Sequence, residues 1–378
     1  MKVNHPNETL ELVSTLTDDG AVTIAMRKGQ VPEPGPTQVV VRVEAAPINP
    51  SDMGALFARG DVTQAQAVDA DGMPGVRIPV PQAALAGQRS RIGIDVPVGN
   101  EGGGTVVAAG SSPEAQALVG RVVGFLSRTA YAQYRTLDIS QCVVMGEGTT
   151  AEQAAAAFVN PLTALGMVET MRAEGHKALI HTVGASNLGL MLNRICLADG
   201  VDLINIVRST ENVEMLRAQG ARWVCNSSSD TFRDDLVEAI TATGATIAFD
   251  AIGGGELADT LLAAMERSLS AGATGYNPYG SDALKQVYIY GGLDRTATTL
   301  TRGYGMQWSV GGWLLTPFLV KIGAEAAARL RQRVADEITT TFASTYGMRL
   351  SLTDVVDPDY VKRYARTATG DKALVVPN

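Results

Sequence analysis

Ala178-Leu-Ile-His-Thr-Val-Gly-Ala-Ser-Asn-Leu-Gly-Leu-Met-Leu192 is the stretch that decides the fold. Its first residues favour a buried strand, and the residues after the turn favour an amphipathic helix. Gly184 permits a sharp turn, and Gly189 lets the helix approach the strand closely. Because the first amides of such a helix bind a pyrophosphate, the stretch predicts a dinucleotide-binding turn.

Ser186 departs from the usual fingerprint, which has glycine at this position. Its hydroxyl can itself donate to a phosphate oxygen. An ordinary strand-to-helix turn remains the alternative interpretation in a chain with 40 glycines. The predicted cofactor contacts in the turn are Gly184, Ala185, Ser186, Asn187, Leu188 and Gly189.

Leu203–Val207 predicts the next strand, and it is followed by Arg208 and Ser209. NAD-binding folds carry an acidic residue about 20 residues after the fingerprint, where it binds the ribose hydroxyls. The basic Arg208 can instead pair with a 2′-phosphate, and Ser209 can add a hydrogen bond. The sequence therefore predicts NADPH as the cofactor, against the alternative of a surface arginine.

Length and composition set wider limits. A chain of 378 residues is long enough for two cores. The formal charge of −8 and the absence of a basic run argue against a nucleic-acid partner. The stretch Val310–Val320 is about half as long as a membrane helix, and the polar residues of Met1–Val13 lack the character of a secretory signal. We therefore expect no membrane partner and a cytoplasmic location.

The chain falls into two patterns. The first 150 or so residues have β character, with a long excursion of little sustained periodicity between Asp61 and Val98. Thr150 begins a capping box that predicts a helix over Ala154–Val159. After Pro161, apolar strands alternate with helical stretches, which predicts βαβ units and a parallel sheet. The short apolar strand after Lys372 can pair back onto the first domain.

The three cysteines, Cys142, Cys196 and Cys225, are widely spaced. None has a second Cys or His at metal-ligand spacing, so we expect neither a disulfide framework nor a metal site.

Several motifs occur in an order that resembles the medium-chain dehydrogenase/reductase superfamily, and within it the zinc-free quinone oxidoreductases and the enoyl thioester reductases. The motifs are the fingerprint together with Pro47-Ile-Asn-Pro-Ser-Asp52, Val98-Gly-Asn-Glu-Gly102, Gly120-Arg-Val, Tyr131-Ala-Gln-Tyr134 and Asn160-Pro-Leu-Thr-Ala164.

The resemblance implies an α/β architecture in which a Rossmann parallel-sheet domain is inserted into a GroES-like, mainly β catalytic domain. The expected parts are residues 1–155 and 311–378 for the catalytic domain and 156–310 for the NADP-binding domain. Relatives of this shape commonly pair through an edge of the Rossmann sheet, so a homodimer is also expected.

Zinc-dependent relatives have Cys and His where this chain has Asn49 and Asn100, both poor zinc ligands. Reduction of a simple ketone then lacks a Lewis acid, whereas a quinone or an α,β-unsaturated carbonyl delocalises the developing charge. The expected activity is thus zinc-independent hydride transfer from NADPH to such an acceptor. An enoyl thioester reductase and a noncatalytic NADPH-binding sensor or structural protein remain as alternatives.

The resemblance also implies site residues. Asn49 and Asp52 are expected near the nicotinamide or the substrate, and Thr163 on the nicotinamide side. The tyrosine that enoyl thioester reductases carry after the first motif is absent from Met53–Gly60, which leaves Tyr131 or Tyr134 as candidates. The backbone of Tyr290 and Gly291, and the turn containing Ile252, are expected beside the nicotinamide carboxamide. We interpret His181 as structural.

Overall fold

The structure is a computed structural model that describes residues 6–271, 275, 277–366 and 372–378. The chain divides into two compact units. The first combines Met1–Val159 with Arg331–Asn378, and the second is Asn160–Leu330. No helix of the described ranges is both long enough and apolar enough to cross a membrane.

The first unit begins with ten strands and four short helices. The strands are β1 (Glu8–Leu16), β2 (Ala21–Gln30), β3 (Gln38–Pro47), β4 (Gln66–Ala70), β5 (Met73–Pro79), β6 (Asp95–Pro97), β7 (Glu101–Ala109), β8 (Val122–Leu126), β9 (Tyr134–Asp138) and β10 (Cys142–Val144). The helices are α1 (Met53–Phe57), α2 (Gln82–Leu85), α3 (Pro113–Gln116) and α4 (Ala151–Ala154).

The excursion between Asp61 and Val98 contains regular strands. β4 and β5 form a hairpin closed by Asp71 and Gly72, whose φ angles are 55° and 79°. Such a pair of left-handed residues is what a two-residue type I′ turn requires, and Asp-Gly is its usual sequence. The hairpin extends an antiparallel sheet in the order β4-β5-β2-β1-β6. The excursion therefore enlarges the β unit.

The capping box at Thr150 is present, with Thr150 and Gln153 exchanging hydrogen bonds through their side chains. The helix it begins ends at Ala154, so the predicted helix over Ala154–Val159 is wrong. The backbone turns there because the Glu101 carboxylate accepts from the amides of Phe158 and Val159.

The second unit alternates strands with helices. Its elements are α5 (Val159–Ala173), β11 (Leu179–His181), α6 (Asn187–Asp199), β12 (Leu203–Val207), α7 (Thr210–Ala218), β13 (Trp223–Asn226), α8 (Phe232–Thr243), β14 (Ile247–Asp250), β15 (Gly253–Gly255), α9 (Leu257–Ser270), β16 (Lys285–Ile289), β17 (Asp294–Thr298), β18 (Trp308–Gly312), α10 (Leu315–Ile322) and α11 (Ala324–Asp336). The parallel sheet has the order β13-β12-β11-β14-β16-β18. This is the strand order of a doubly wound dinucleotide-binding fold.

The chain returns to the first unit at Arg331, about 20 residues beyond the expected 311. The difference arises because β18 is the sixth strand of the parallel sheet. In addition, the Trp313 indole that follows it donates to the Thr170 hydroxyl of α5 at 3.0 Å. The first boundary, at Asn160, lies close to the expected 156.

The returning segment contains β19 (Met348–Leu350), α12 (Leu352–Val355), α13 (Pro358–Tyr364) and β20 (Ala373–Val375). β20 pairs with β3, with Leu374 opposite Pro47 and Val375 opposite Ala46. The predicted pairing of the last strand onto the first domain is confirmed. The second sheet of this unit has the order β10-β8-β7-β3-β20-β19.

Candidate functional site

The fingerprint turn joins β11 to α6, as predicted. A Cβ on Gly184 would lie 2.8 Å from the Asn205 Cβ of β12, and a Cβ on Gly189 would lie 2.4 Å from the Gly184 carbonyl oxygen. Real Cβ atoms do not approach other atoms this closely, so both positions require glycine. Gly184 is not among the left-handed glycines. It is needed because β12 approaches the turn, and not because of its φ angle.

Ser186 is the N-cap of α6. Its Oγ accepts a hydrogen bond from the Gly189 amide at 3.1 Å, which satisfies one of the free donors of the first helical turn. The hydroxyl hydrogen remains available to donate to an anion. Ala185 is buried beside it, and Asn187 and Leu188 begin the helix. The serine thus fits a phosphate-binding helix terminus.

Arg208 and Ser209 follow β12 directly. β12 is the parallel neighbour of β11, so Arg208 lies at the same edge of the sheet as the fingerprint turn. The Arg208 side chain is exposed, and the Ser209 Oγ accepts from the Asn212 amide to cap α7. An exposed guanidinium at this edge suits an anionic ligand group.

The turn after β14 is held by Asp250, a residue that the sequence analysis did not select. Asp250 is completely buried. Its Oδ1 accepts from the Thr182 hydroxyl and from the Ile252 amide, both at 2.9 Å, and its Oδ2 accepts from the Gly253 amide at 3.0 Å. The carboxylate therefore ties the end of β11 to the turn that contains Ile252. The sequence signal that could have identified Asp250 is an acidic residue placed between an apolar strand and a run of glycines.

Tyr290 and Gly291 follow β16 at the same edge. The Tyr290 amide donates to the Asp250 carbonyl at 2.9 Å, and a Cβ on Gly291 would lie 2.7 Å from the Ala251 carbonyl oxygen. The structure thus brings the predicted residues Ile252, Tyr290 and Gly291 together. Thr163 is buried in α5 of the same unit.

The first unit contains a second group of predicted residues, Asn49 and Asp52, together with Glu101. Each of the three is 0–1% exposed. The Asn49 Nδ2 donates to Glu101 Oε1 at 2.8 Å, and the two oxygens of Asp52 accept from the amides of Asn49 and Asn100. The Asn49 Oδ1 is buried without a hydrogen-bond partner among the described residues. Glu101 belongs to the second quoted motif but was not selected.

Tyr131 lies in the same unit and is completely buried. Its hydroxyl donates to the Pro47 carbonyl at 3.2 Å. Burial, with the nearby Asp52 carboxylate, raises the pKa of this phenol well above its usual value. The hydroxyl thus stays protonated and supports the first motif, and a catalytic contact of Tyr131 remains a prediction. Tyr134 is half-buried in β9.

Lys372 brings a positive charge to this group. Its Nζ is buried, has no hydrogen-bond partner in the ranges that the structure describes, and lies 5.6 Å from the centre of the Tyr346 ring. Burial lowers the pKa of the ammonium group, while Glu101 and Asp52 oppose this effect. Burial likewise raises the pKa of Glu101, against Lys372. The sequence marked Lys372 only as the residue at the start of the last strand, and nothing in its neighbours indicated a buried position beside acidic groups.

Asp52 gives a pH-dependent stability that can be measured. Burial raises the pKa of its carboxyl from 3.8 to about 7, although two amides favour the charged form. The folded state therefore holds a proton that the unfolded state releases, and this contribution to stability is lost as the pH rises from about 4 through 7. We expect Asp52→Asn to remove this pH dependence of the free energy of unfolding, which is measured by urea unfolding at pH 5, 6, 7 and 8. Wild-type and variant curves that run parallel would contradict it.

Comparisons with known proteins extend these observations. A scan against models of known protein families gave no match. The synaptic vesicle membrane protein VAT-1 homolog of Rattus norvegicus is 26% identical over 241 residues, which are 63% of this chain and 52% of the relative. The chain thus matches about half the length of this curated relative.

Solved structures match over nearly the whole chain. A Mesorhizobium loti protein provisionally named an NADPH:quinone reductase has a TM-score of 0.73 and 25% identity, covering 99% of this chain and 100% of that one. The Etr1p complex with NADP and crotonyl-CoA has a TM-score of 0.66 and 18% identity, with 98% and 99% coverage. The second likeness bears on the fold alone.

The likeness to the M. loti protein includes both compact units of this chain. Because it covers 99% of this chain, it extends over both the fingerprint turn and nearly all of the returning C-terminal segment. The chain therefore has the fold of the solved NADPH:quinone reductases and enoyl reductases of the medium-chain dehydrogenase/reductase superfamily, and its motif order resembles theirs.

Proposed function

We propose that this protein is an NADPH-dependent oxidoreductase that transfers hydride, without zinc, to a quinone or an α,β-unsaturated carbonyl compound. The observation that carries the proposal is the carboxyl edge of the parallel sheet. There the capped N-terminus of α6, the exposed Arg208 and the turns after β14 and β16 lie together. Ligands of doubly wound sheets bind at this edge.

NADPH is the cofactor, and when bound it supplies the hydride. The residues present fit it. The close packing leaves no room for side chains at Gly184 and Gly189, and the first amides of α6 would bind the pyrophosphate. Ser186 adds a hydroxyl donor. Arg208, at the end of the neighbouring strand, pairs with the 2′-phosphate.

We expect Arg208→Ala to weaken NADPH binding by roughly 10- to 100-fold, because a charge-assisted hydrogen bond contributes about 1.5–3 kcal/mol. NADH has no 2′-phosphate, so its affinity should change less than about twofold. Fluorescence titration of both cofactors measures the two dissociation constants. Arg222→Ala is the matched control, because Arg222 is exposed and stacks on Trp223 in the neighbouring strand. Unchanged discrimination in Arg208→Ala would remove the assignment.

The donor set supports a zinc-independent reaction. Asn49 and Asn100 stand at the positions where zinc-dependent relatives carry Cys and His, and neutral amides bind zinc poorly. Both amide nitrogens are already engaged, since Asn49 donates to Glu101 and Asn100 donates to the Ser51 hydroxyl at 3.0 Å. Conjugated acceptors suit such a site because their developing charge spreads onto an enolate or quinol oxygen.

The test is NADPH oxidation against benzoquinone, naphthoquinone, simple enones and enoyl thioesters, with NADH and a metal chelator as controls. We expect chelator-insensitive turnover of quinones or enones. Turnover of enoyl thioesters alone would favour the enoyl thioester reductase alternative, although Met53–Gly60 contains no tyrosine. Tight NADPH binding with no turnover of any acceptor would favour a noncatalytic sensor or structural protein.

A homodimer in the cytoplasm is part of the same proposal. β18 ends the strand order at one edge of the parallel sheet, and the exposed apolar side chains of Leu314 and Val320 follow it. An uncovered strand edge beside exposed apolar side chains favours pairing with a second copy. Sedimentation over a range of concentrations that finds only a 39.6 kDa species would remove the dimer, and cell fractionation tests the location.

A further inference from the structure

His181 and Tyr290 form a pair across the parallel sheet. His181 is the last residue of β11 and Tyr290 directly follows β16, and β14 lies between these two strands. The His181 Nε2 and the Tyr290 hydroxyl oxygen are 2.7 Å apart, and the two rings stack with centres 5.8 Å apart. His181 is completely buried, whereas Tyr290 is only half-buried. The pair thus connects the interior of the sheet to its ligand-binding edge.

The ring of His181 is neutral. Burial lowers its pKa from 6.5 to about 3, so one ring nitrogen carries a hydrogen and the other does not. The Nδ1 is buried and has no partner in the described part of the chain. His176 differs, because both of its nitrogens have partners in Thr246 and Gln286.

The unpartnered Nδ1 indicates which hydrogen bond the pair makes. A buried N–H without an acceptor is rarer in proteins than a buried acceptor without a donor. The hydrogen therefore belongs on Nε2, which donates it to the Tyr290 oxygen. The hydroxyl hydrogen of Tyr290 is then left over, and no acceptor for it occurs within the described ranges. Burial, with Asp250, raises the pKa of Tyr290, so this hydrogen is retained.

We propose that the Tyr290 hydroxyl, held by His181, donates a hydrogen bond to a carbonyl oxygen bound at the carboxyl edge of the parallel sheet. The inference rests on the proposed function, under which this carbonyl belongs either to the nicotinamide carboxamide or to the electron acceptor. The backbone of Tyr290 and the turn after β14 lie at this edge and are joined there by Asp250. His181 is a positioning residue, and Tyr290 contacts the ligand.

The test compares Tyr290→Phe with Tyr288→Phe. Tyr288 lies two residues earlier on the same strand, and its hydroxyl contacts Glu174 instead. Binding of NADPH and of 2′,5′-ADP is titrated separately, because 2′,5′-ADP lacks the nicotinamide. Turnover with benzoquinone is measured in parallel.

A carboxamide contact predicts that Tyr290→Phe weakens NADPH binding by about tenfold and leaves 2′,5′-ADP binding unchanged. A substrate contact predicts unchanged binding of both and a kcat/KM that falls about tenfold. If neither constant moves, or if 2′,5′-ADP binding weakens as much as NADPH binding, the inference is overturned. Wild-type protein that binds neither ligand would instead count against the proposed function.

Variants of His181 test the positioning role even if Tyr290→Phe fails to fold. His181→Gln places an amide donor where Nε2 lies and should stay within about threefold of wild type. His181→Leu should show the same loss as Tyr290→Phe, whether that loss is in NADPH affinity or in kcat/KM. The tautomer can be observed directly by ¹⁵N NMR, since the chain has only three histidines. An Nδ1–H tautomer of His181, or a His181→Leu variant that matches wild type in both NADPH binding and kcat/KM, would overturn the inference.

Discussion

Replacing Glu101 by alanine is expected to lower the free energy of unfolding by about 3–5 kcal/mol, because each buried donor left without an acceptor costs about 1–3 kcal/mol. Glu101 is completely buried and accepts three hydrogen bonds, from Asn49 Nδ2 and from the amides of Phe158 and Val159. Its removal leaves these three donors without an acceptor and removes a negative charge that favours the buried ammonium of Lys372. Total stabilities of about 5–15 kcal/mol make this a large fraction.

Two further variants separate the effect of the buried Glu101 carboxylate from that of an ordinary surface carboxylate. Glu101→Gln keeps an amide oxygen as an acceptor and should lose less, about 1–3 kcal/mol. Glu44→Ala is the matched control, because the Glu44 carboxylate is one-third exposed and pairs with Arg42 at the surface. Urea unfolding followed by near-ultraviolet circular dichroism measures all three. A loss in Glu101→Ala no larger than that in Glu44→Ala would show that the buried group contributes little.

Gly189→Ala is expected to weaken NADPH binding by roughly 100-fold. The new Cβ would lie 2.4 Å from the Gly184 carbonyl oxygen and 2.6 Å from the Val183 carbonyl oxygen, so α6 and the fingerprint turn must move apart. Overpacking of this kind costs ~1–3 kcal/mol, and ~3 kcal/mol corresponds to about two orders of magnitude in affinity. Titration with NADPH and with 2′,5′-ADP should show equal losses.

The control for this variant lies at the other end of the same helix. Gly200 follows α6 with a φ of 66°, and no atom lies within 4 Å of its hypothetical Cβ. Gly200→Ala therefore costs stability through its left-handed backbone, by ~1 kcal/mol, without disturbing the turn. If both alanine variants bound NADPH as tightly as wild type, close packing at Gly189 would not be needed for cofactor binding.

Local sequence was sufficient for the fingerprint. The residues from Ala178 to Leu192 carry a strand, a turn and a helix in one short stretch, so pattern and spacing alone locate the turn between β11 and α6. The last strand and its return to the first domain were likewise predicted from its apolar character, whereas its partner strand β3 was not. The Asp71-Gly72 hairpin was missed although its signal is local, because the surrounding Ala, Gln and Pro residues obscured the alternation.

Residues that act through tertiary contacts were not predictable in this way. Tyr290 is 109 residues from His181. The two side chains meet because only one strand, β14, lies between β11 and β16 in the sheet. Asp250 holds groups from β11 and from its own turn, and Lys372 reaches the acidic group from the far end of the chain. Single-sequence patterns carry no information about such pairings.

The pairing of β20 with β3 has a consequence for synthesis on the ribosome. More than 300 residues separate Leu374 from Pro47, which at ~5–20 residues per second is a delay of roughly 20–60 s. During this time the Ala46–Pro47 end of β3 lacks its partner, although Gln38–Arg42 of the same strand can already pair with β9. The apolar cluster of Ala45, Ala155 and Leu374 is also incomplete. The nascent chain therefore carries an open strand edge during this interval. The second unit is contiguous in sequence and can already fold. Chaperones that cover such edges have a defined interval in which to act.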